Sequence, residues 1–125
     1  MDRWIIEFFE DTEGNRPVRV WLDGLPEEVR GKVLPRSELL AEHGPSLDYP
    51  YTSQIKDKLR EIRLRFGKVR YRVLYFFDET RTGSPLHSFT KNTETVEEAD
   101  QRVAQLRMDA HTSRKKKPAT REGRK

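Results

Sequence analysis

At 125 residues and 14.8 kDa the chain has room for one domain, with 34% hydrophobic residues for a core and 37% charged residues for a surface. The 6 Phe, 4 Tyr and 2 Trp exclude wholesale disorder, the absence of Cys excludes disulfides and thiolate metal sites, and no apolar run is long enough for a membrane helix. The net charge is +4, and the opening Met1-Asp2-Arg3-Trp4 lacks a secretory pattern, so a cytoplasmic location is expected.

Trp4 to Phe9 reads as a short buried strand, and Asp11-Thr12-Glu13-Gly14-Asn15 as a turn. Val18, Trp21, Leu22 and Leu25 then fall on one face of a short helix, with Asn15 as its expected cap, Pro17 in its first turn and Gly24 at its end. A second helix is expected from Pro26 to just before Gly44. Pro35 should kink it or restart it near Ser37, because an interior proline removes a hydrogen bond and crowds the preceding turn. Residues 44–50 read as a loop.

From Leu59 the period changes to two. Ile62, Leu64 and Phe66 point one way, and Glu61, Arg63 and Arg65 the other. Gly67-Lys68 makes the turn into Val69–Phe77, whose odd positions are all apolar or aromatic and whose even positions begin with Arg70 and Arg72. Tyr71 and Tyr75 are read as core. A loop containing Gly83 and Pro85 precedes a third strand, Leu86 to Lys91, on which His87, Phe89 and Lys91 share a side. Thr95 and Glu98 have capping-box spacing, and Val96, Ala99, Val103 and Leu106 recur at helical intervals to about Met108. Residues 1–110 are thus one domain, and 111–125 a basic, disordered tail.

This order predicts an α+β fold: an N-terminal strand, two helices, a three-stranded antiparallel meander and a C-terminal helix. The helices should lie on one face of the sheet and leave the other open. Charge follows the same map, since residues 55–75 and 111–125 each carry a net +6 while the segments between and before them are acidic. A local cationic surface of this kind suits phosphates, although solvated edge charges opposing aggregation would give the same pattern. No P-loop, dinucleotide fingerprint, serine-nucleophile motif or metal-ligand spacing links the remaining residues, so no cofactor and no metal are expected.

If the open face gathers Arg63, Arg72, His87 and Lys91, it suits an RNA phosphodiester. Attack by the 2′-hydroxyl builds charge on the phosphoryl oxygens that fixed cations stabilise. Arginine supplies a permanent planar fork for phosphate, and His87 is the natural proton carrier.

Leu59-Arg60-Glu61-Ile62-Arg63, Gly67, Tyr71-Arg72-Val73-Leu74-Tyr75-Phe76-Phe77, Leu86-His87-Ser88-Phe89-Thr90-Lys91 and Trp21-Leu22-Asp23-Gly24-Leu25-Pro26 together resemble type II toxins of the RelE/ParE superfamily, in particular its HigB-like, phage-derived branch. The resemblance covers about residues 3–108. It implies a RelE-like fold and a metal-independent endoribonuclease that cleaves mRNA on the ribosome, inhibits translation and is held inactive by a cognate antitoxin of the helix-turn-helix type. Arg63, Arg72, His87 and Lys91 match the motif positions that imply catalytic roles. Asn92 and Glu94 stand where the motif carries lysines, Val96 where it carries proline, and Ser88 where it carries glycine. Relatives on the same fold poison DNA gyrase, so a gyrase inhibitor and a catalytically degenerate protein-binding module are the alternatives. On this reading Arg72→Ala should relieve growth arrest while the protein stays folded.

Overall fold

The structure is a computed structural model and describes residues 3–48, 50–90 and 96–116. β1 (Ile5–Ile6) leads through a turn to α1 (Pro17–Asp23) and α2 (Glu27–His43), and a single 3-10 turn follows at Gly44–Ser46. Four strands then run in succession, β2 (Thr52–Lys56), β3 (Leu59–Phe66), β4 (Val69–Phe77) and β5 (Thr82–Thr90), before α3 (Glu98–Lys116). The sheet order is β1-β5-β4-β3-β2. β1 is parallel to β5 and every other pairing is antiparallel. The expected three-stranded meander is therefore a four-stranded one, extended by β2 at one edge and closed by β1 at the other.

Local chemistry accounts for the elements. Pro17 opens α1 where a missing N–H costs nothing, and the Gly24 N–H closes it on Val20 and Trp21 carbonyls. No side chain caps its start: Asn15, the expected cap, is bound instead to Asp11, whose Oδ1 accepts the Asn15 backbone N–H. α2 passes through Pro35 without interruption, forgoing only the bond that this residue would donate to the Gly31 carbonyl. It ends at Gly44, whose φ of 62° is a left-handed backbone that glycine alone adopts cheaply and whose missing side chain lets the Trp4 ring sit against it. β5 begins earlier than expected and contains Gly83 and Pro85, because the ladder shifts register beside Tyr75–Pro85 and a bulge tolerates a residue without an N–H. The chain around β1 uses this strand too, since Glu7 and Phe9 N–H groups donate to the Gly83 and Pro85 carbonyls.

Two cores result. Val18, Leu22, Val29, Val33 and Leu40 of α1 and α2 pack on Ile62, Leu64, Val73 and Tyr75 of one sheet face. On the other face Leu59, Leu74, Phe76, Leu86 and Phe89 pack with Phe9 and with Val96, Ala104 and Met108 at and along α3. The helices therefore cover both faces, which corrects the expectation of one open face. The sequence already carries the cause: Leu74 and Phe76 occupy even positions of β4, and apolar residues on both faces require cover on both. Tyr75 is core, as expected, and Tyr71 is half-buried against Trp21 with ring centroids 6.4 Å apart.

α3 extends through residues 111–116, beyond the Met108 end that periodicity predicted. His111 is buried rather than part of a tail: its Nε2 lies 2.8 Å from Asp78 Oδ2, and its ring stands edge-on to Phe76. Residues 117–125 and the Thr95 capping position lie outside the described residues. No helix among those described is long and apolar enough to cross a membrane.

Candidate active site

β3 and β4 set the geometry. Their register pairs Glu61 with Leu74, Arg63 with Arg72, and Arg65 with Arg70, so these six side chains share one face. The β4–β5 register continues the rows: Leu74 opposes His87 and Arg72 opposes Phe89. Arg63, Arg72 and His87 thus stand on the same face, in two adjacent rows, as alternation predicted. Lys91, the fourth expected member, lies outside the described residues, as do Asn92 and Glu94.

The rows differ in access. Arg63 and Arg65 are exposed, whereas Arg72 is 0% exposed. Arg72 is therefore not displayed on an uncovered concavity, and the expected open phosphate site is corrected to an exposed arginine in front of a buried one. Arg72 Nε lies 4.0 Å from Oε1 of Glu61, itself 4% exposed. A carboxylate beside it lets a buried guanidinium persist at the centre of the sheet, where like charges directly opposite each other would repel. Glu61 Oε2 accepts from Ser53 Oγ at 3.3 Å, which ties the neighbouring β2 into the cluster.

His87 is held from the other side. Its Nε2 is 2.8 Å from Asp100 Oδ1 on the first turn of α3, and its ring lies over Phe89 with centroids 5.3 Å apart. A carboxylate on one ring nitrogen fixes the ring's orientation and tautomer, the arrangement a proton-transferring histidine uses. Further along, Arg107 Nη1 donates to the Leu86 carbonyl at 2.8 Å. At the far end of α3, burial pushes the Asp78 carboxyl up, but hydrogen bonds from His111, Thr80 and Thr82 outweigh it and hold the group below the usual aspartate range.

Other cations of the basic segment are spent elsewhere. Arg60 points to the opposite face, where its Nη2 donates to Asp48 Oδ1 and Thr52 Oγ1, so its role is structural. Glu61, Ser53 and Asp100 were not singled out from the sequence as site residues. Glu61 had a signal, a lone acid at the face position of a strand whose next two face positions are arginines. Asp100 had none, because only the register of α3 on the sheet brings it to His87.

The arrangement offers a surface guanidinium for an anion, a buried one directly opposite it on the neighbouring strand, and, one row over, a buried carboxylate and an oriented imidazole. Comparison with curated proteins finds no match. The description "phage derived protein Gp49-like (DUF891)" matches residues 20–109, from within α1 through most of α3. The chain belongs to this Gp49-like family, a RelE/HigB-like toxin family associated with toxin–antitoxin systems, in which an antitoxin is the general partner.

Proposed function

We propose that this protein is the toxin of a type II toxin–antitoxin pair, on the HigB-like branch, and that it cleaves mRNA as a metal-independent endoribonuclease on the ribosome in the cytoplasm. The observation that carries the reading is the in-register Arg63–Arg72 pair on the same sheet face as an oriented His87. Arg63 takes the scissile phosphate at the surface, and Arg72 adds positive potential from the neighbouring strand. His87 returns a proton to the leaving oxygen, and Lys91 stabilises the negative charge that develops on the phosphoryl oxygens. Metal independence and the helix-turn-helix antitoxin follow from the resemblance, not from the geometry.

The test is brief induction in cells followed by mapping of transcript 5′ ends. New ends inside translated messages, which disappear when ribosomes are stalled off them, are the expected result. Intact transcripts with chromosomal double-strand breaks would replace this reading with gyrase inhibition. One observation favours a different alternative: complete burial of Arg72 beside Glu61 fits a degenerate module that only docks a protein partner. Harmless expression without antitoxin, together with retained complex formation, would select that module.

A further inference from the structure

At the end of the sheet away from the Gly67 turn lies a cleft of about 390 Å³, a volume in the range of small-molecule sites. It forms where Trp4, the β2–β3 turn at Asp57-Lys58, the end of β4 at Phe77 and the β4–β5 turn at Glu79 and Arg81 come together. Phe77 packs with the core under α1 and α2, so the cleft is on the other face of the sheet from Arg63. Trp4 and Phe77 stand edge to face with ring centroids 5.4 Å apart, and the Arg81 guanidinium lies over the Trp4 ring, 3.9 Å from its centroid.

The turn that supplies Arg81 is firmly held. Asp78 Oδ1 accepts the backbone N–H groups of Thr80 and Thr82, and the Asp78 N–H donates to the Thr82 carbonyl. Arg81 itself has a φ of 64°, a left-handed backbone that a long side chain adopts only at a cost. What the position gains from an arginine is a planar cation fixed on an indole. Arg81 remains exposed, so a second ring can stack on the face of the guanidinium that Trp4 leaves open.

The charges around this stack divide into committed and uncommitted groups. Asp78 is occupied by Thr80, Thr82 and His111, and Arg60 is bound to Asp48 and Thr52. Asp57, Lys58, Glu79 and Arg81 are exposed and make no ion pair among the described residues. Each turn thus presents one carboxylate and one cation. A rim of mixed sign selects neither anions nor cations, so the occupant must be recognised by flatness and by its pattern of donors and acceptors. Guanine meets both demands. Its O6 and N7 accept from arginine or lysine, and its N1–H and N2 amino group donate side by side to a carboxylate.

We propose that this cleft binds a guanine base, stacked on the Arg81 guanidinium and held at its edges by a carboxylate and a cation of the two turns. A free guanine nucleotide and an unstacked guanosine of an RNA present the same chemistry. None of these residues belongs to the Arg63, Arg72, His87 and Lys91 set, so the site stands or falls independently of the nuclease reading.

Calorimetric titration of the full-length protein with GMP, AMP, CMP and UMP tests it. GMP should bind with a Kd on the order of 0.1 mM, and the other three at least tenfold more weakly. Arg81→Gly should weaken GMP about tenfold or more, the usual worth of one base stack, with melting close to wild type because glycine accepts the backbone of the turn. Should that variant not fold, Arg81→Asn, another residue at ease at positive φ, decides by the same criterion. Asp57→Asn with Glu79→Gln should bring GMP down to the affinity of AMP. An oligothymidine carrying one guanine, compared with one carrying none, identifies the source: guanine-dependent binding that Arg81→Gly removes assigns the site to nucleic acid, and binding of GMP alone assigns it to a free nucleotide. Either result upholds the site. No binding of GMP or the oligonucleotide, equal affinity for all four nucleotides, or a folded Arg81 variant that binds like the wild type would overturn it.

Discussion

The two arginines of the site, though directly opposite each other, have unlike physics, and substitution separates them. Arg63 is exposed at the mouth of a cleft, so Arg63→Ala removes the proposed phosphate contact without opening a cavity. Its expected effect is a loss of cleavage of about 100-fold with melting unchanged. Arg72 is fully enclosed beside Glu61, and removing it strands a buried carboxylate. Breaking one partner of a buried pair costs about 3–5 kcal/mol, so Arg72→Ala should unfold at markedly lower urea. The simple expectation that Arg72→Ala silences the protein while leaving it folded is thereby revised. Urea melts of both variants check this, and equal midpoints for wild type and Arg72→Ala would refute it. Glu61→Gln with Arg72→Met, which removes both charges, should recover most of the lost stability, because it leaves no unpaired charge inside.

At the scale of elements, α3 is the piece whose placement decides what the face can do. It is held to the sheet by His87–Asp100 near its start and His111–Asp78 near its end, two clasps that run in opposite directions across one interface. The Asp78 carboxyl is held below its ordinary value, so its folded form titrates at lower pH than its unfolded form. The stability it contributes is present above the ordinary aspartate range and is lost as pH falls through the lowered folded value. Protection factors of amides in the last turns of α3, which correct for the intrinsic pH dependence of exchange, should therefore fall on acidification below that range, and Asp78→Asn should show low protection at neutral pH with a flatter pH response. An acid response of the wild type that Asp78→Asn leaves unaltered would show that another group carries it.

The same clasps explain what was legible beforehand. The helix was visible and Val96, just before it, is buried as expected, but Ala99 and Leu106 are exposed, Leu106 at 67%, and the buried stripe of α3 runs through Asp100, Ala104, Met108 and His111. Two of those four are polar and enter the interior only because the sheet supplies partners, which periodicity of apolar residues does not register. β2 escaped notice for a related reason, since Thr52–Lys56 contains Ile55 as its single large apolar residue and lies at a sheet edge. The β3–β4 hairpin was legible in full, because strict alternation fixes both faces at once. That alternation put Arg63 and Arg72 on one side correctly, but it carried no information about the helix that returns over that side.

For the whole molecule, the positive charge that sequence concentrates in residues 55–75 is divided by the fold into separate populations. Arg72 is interior and Arg60 is bound to Asp48 and Thr52, whereas Arg63, Arg65 and Lys68 remain exposed toward the Gly67 turn of the β3–β4 hairpin. A polyanion that approaches the candidate site therefore meets this hairpin end before it meets the buried charges. Contacts of this kind act through release of counterions, so they weaken with salt in proportion to the number of phosphates neutralised. Replacing Arg65 and Lys68 together by Gln removes two such contacts without touching either core. The log–log salt slope for a single-stranded RNA should then become shallower by about 1.4, so that between 50 and 200 mM salt the variant loses about sevenfold less affinity than the wild type. Fluorescence anisotropy with a labelled oligonucleotide measures the slope, and melting confirms that the sheet is intact. A variant with the wild-type slope would mean that RNA does not pass over the hairpin end, and the route to Arg63 would have to run along the β2 edge instead.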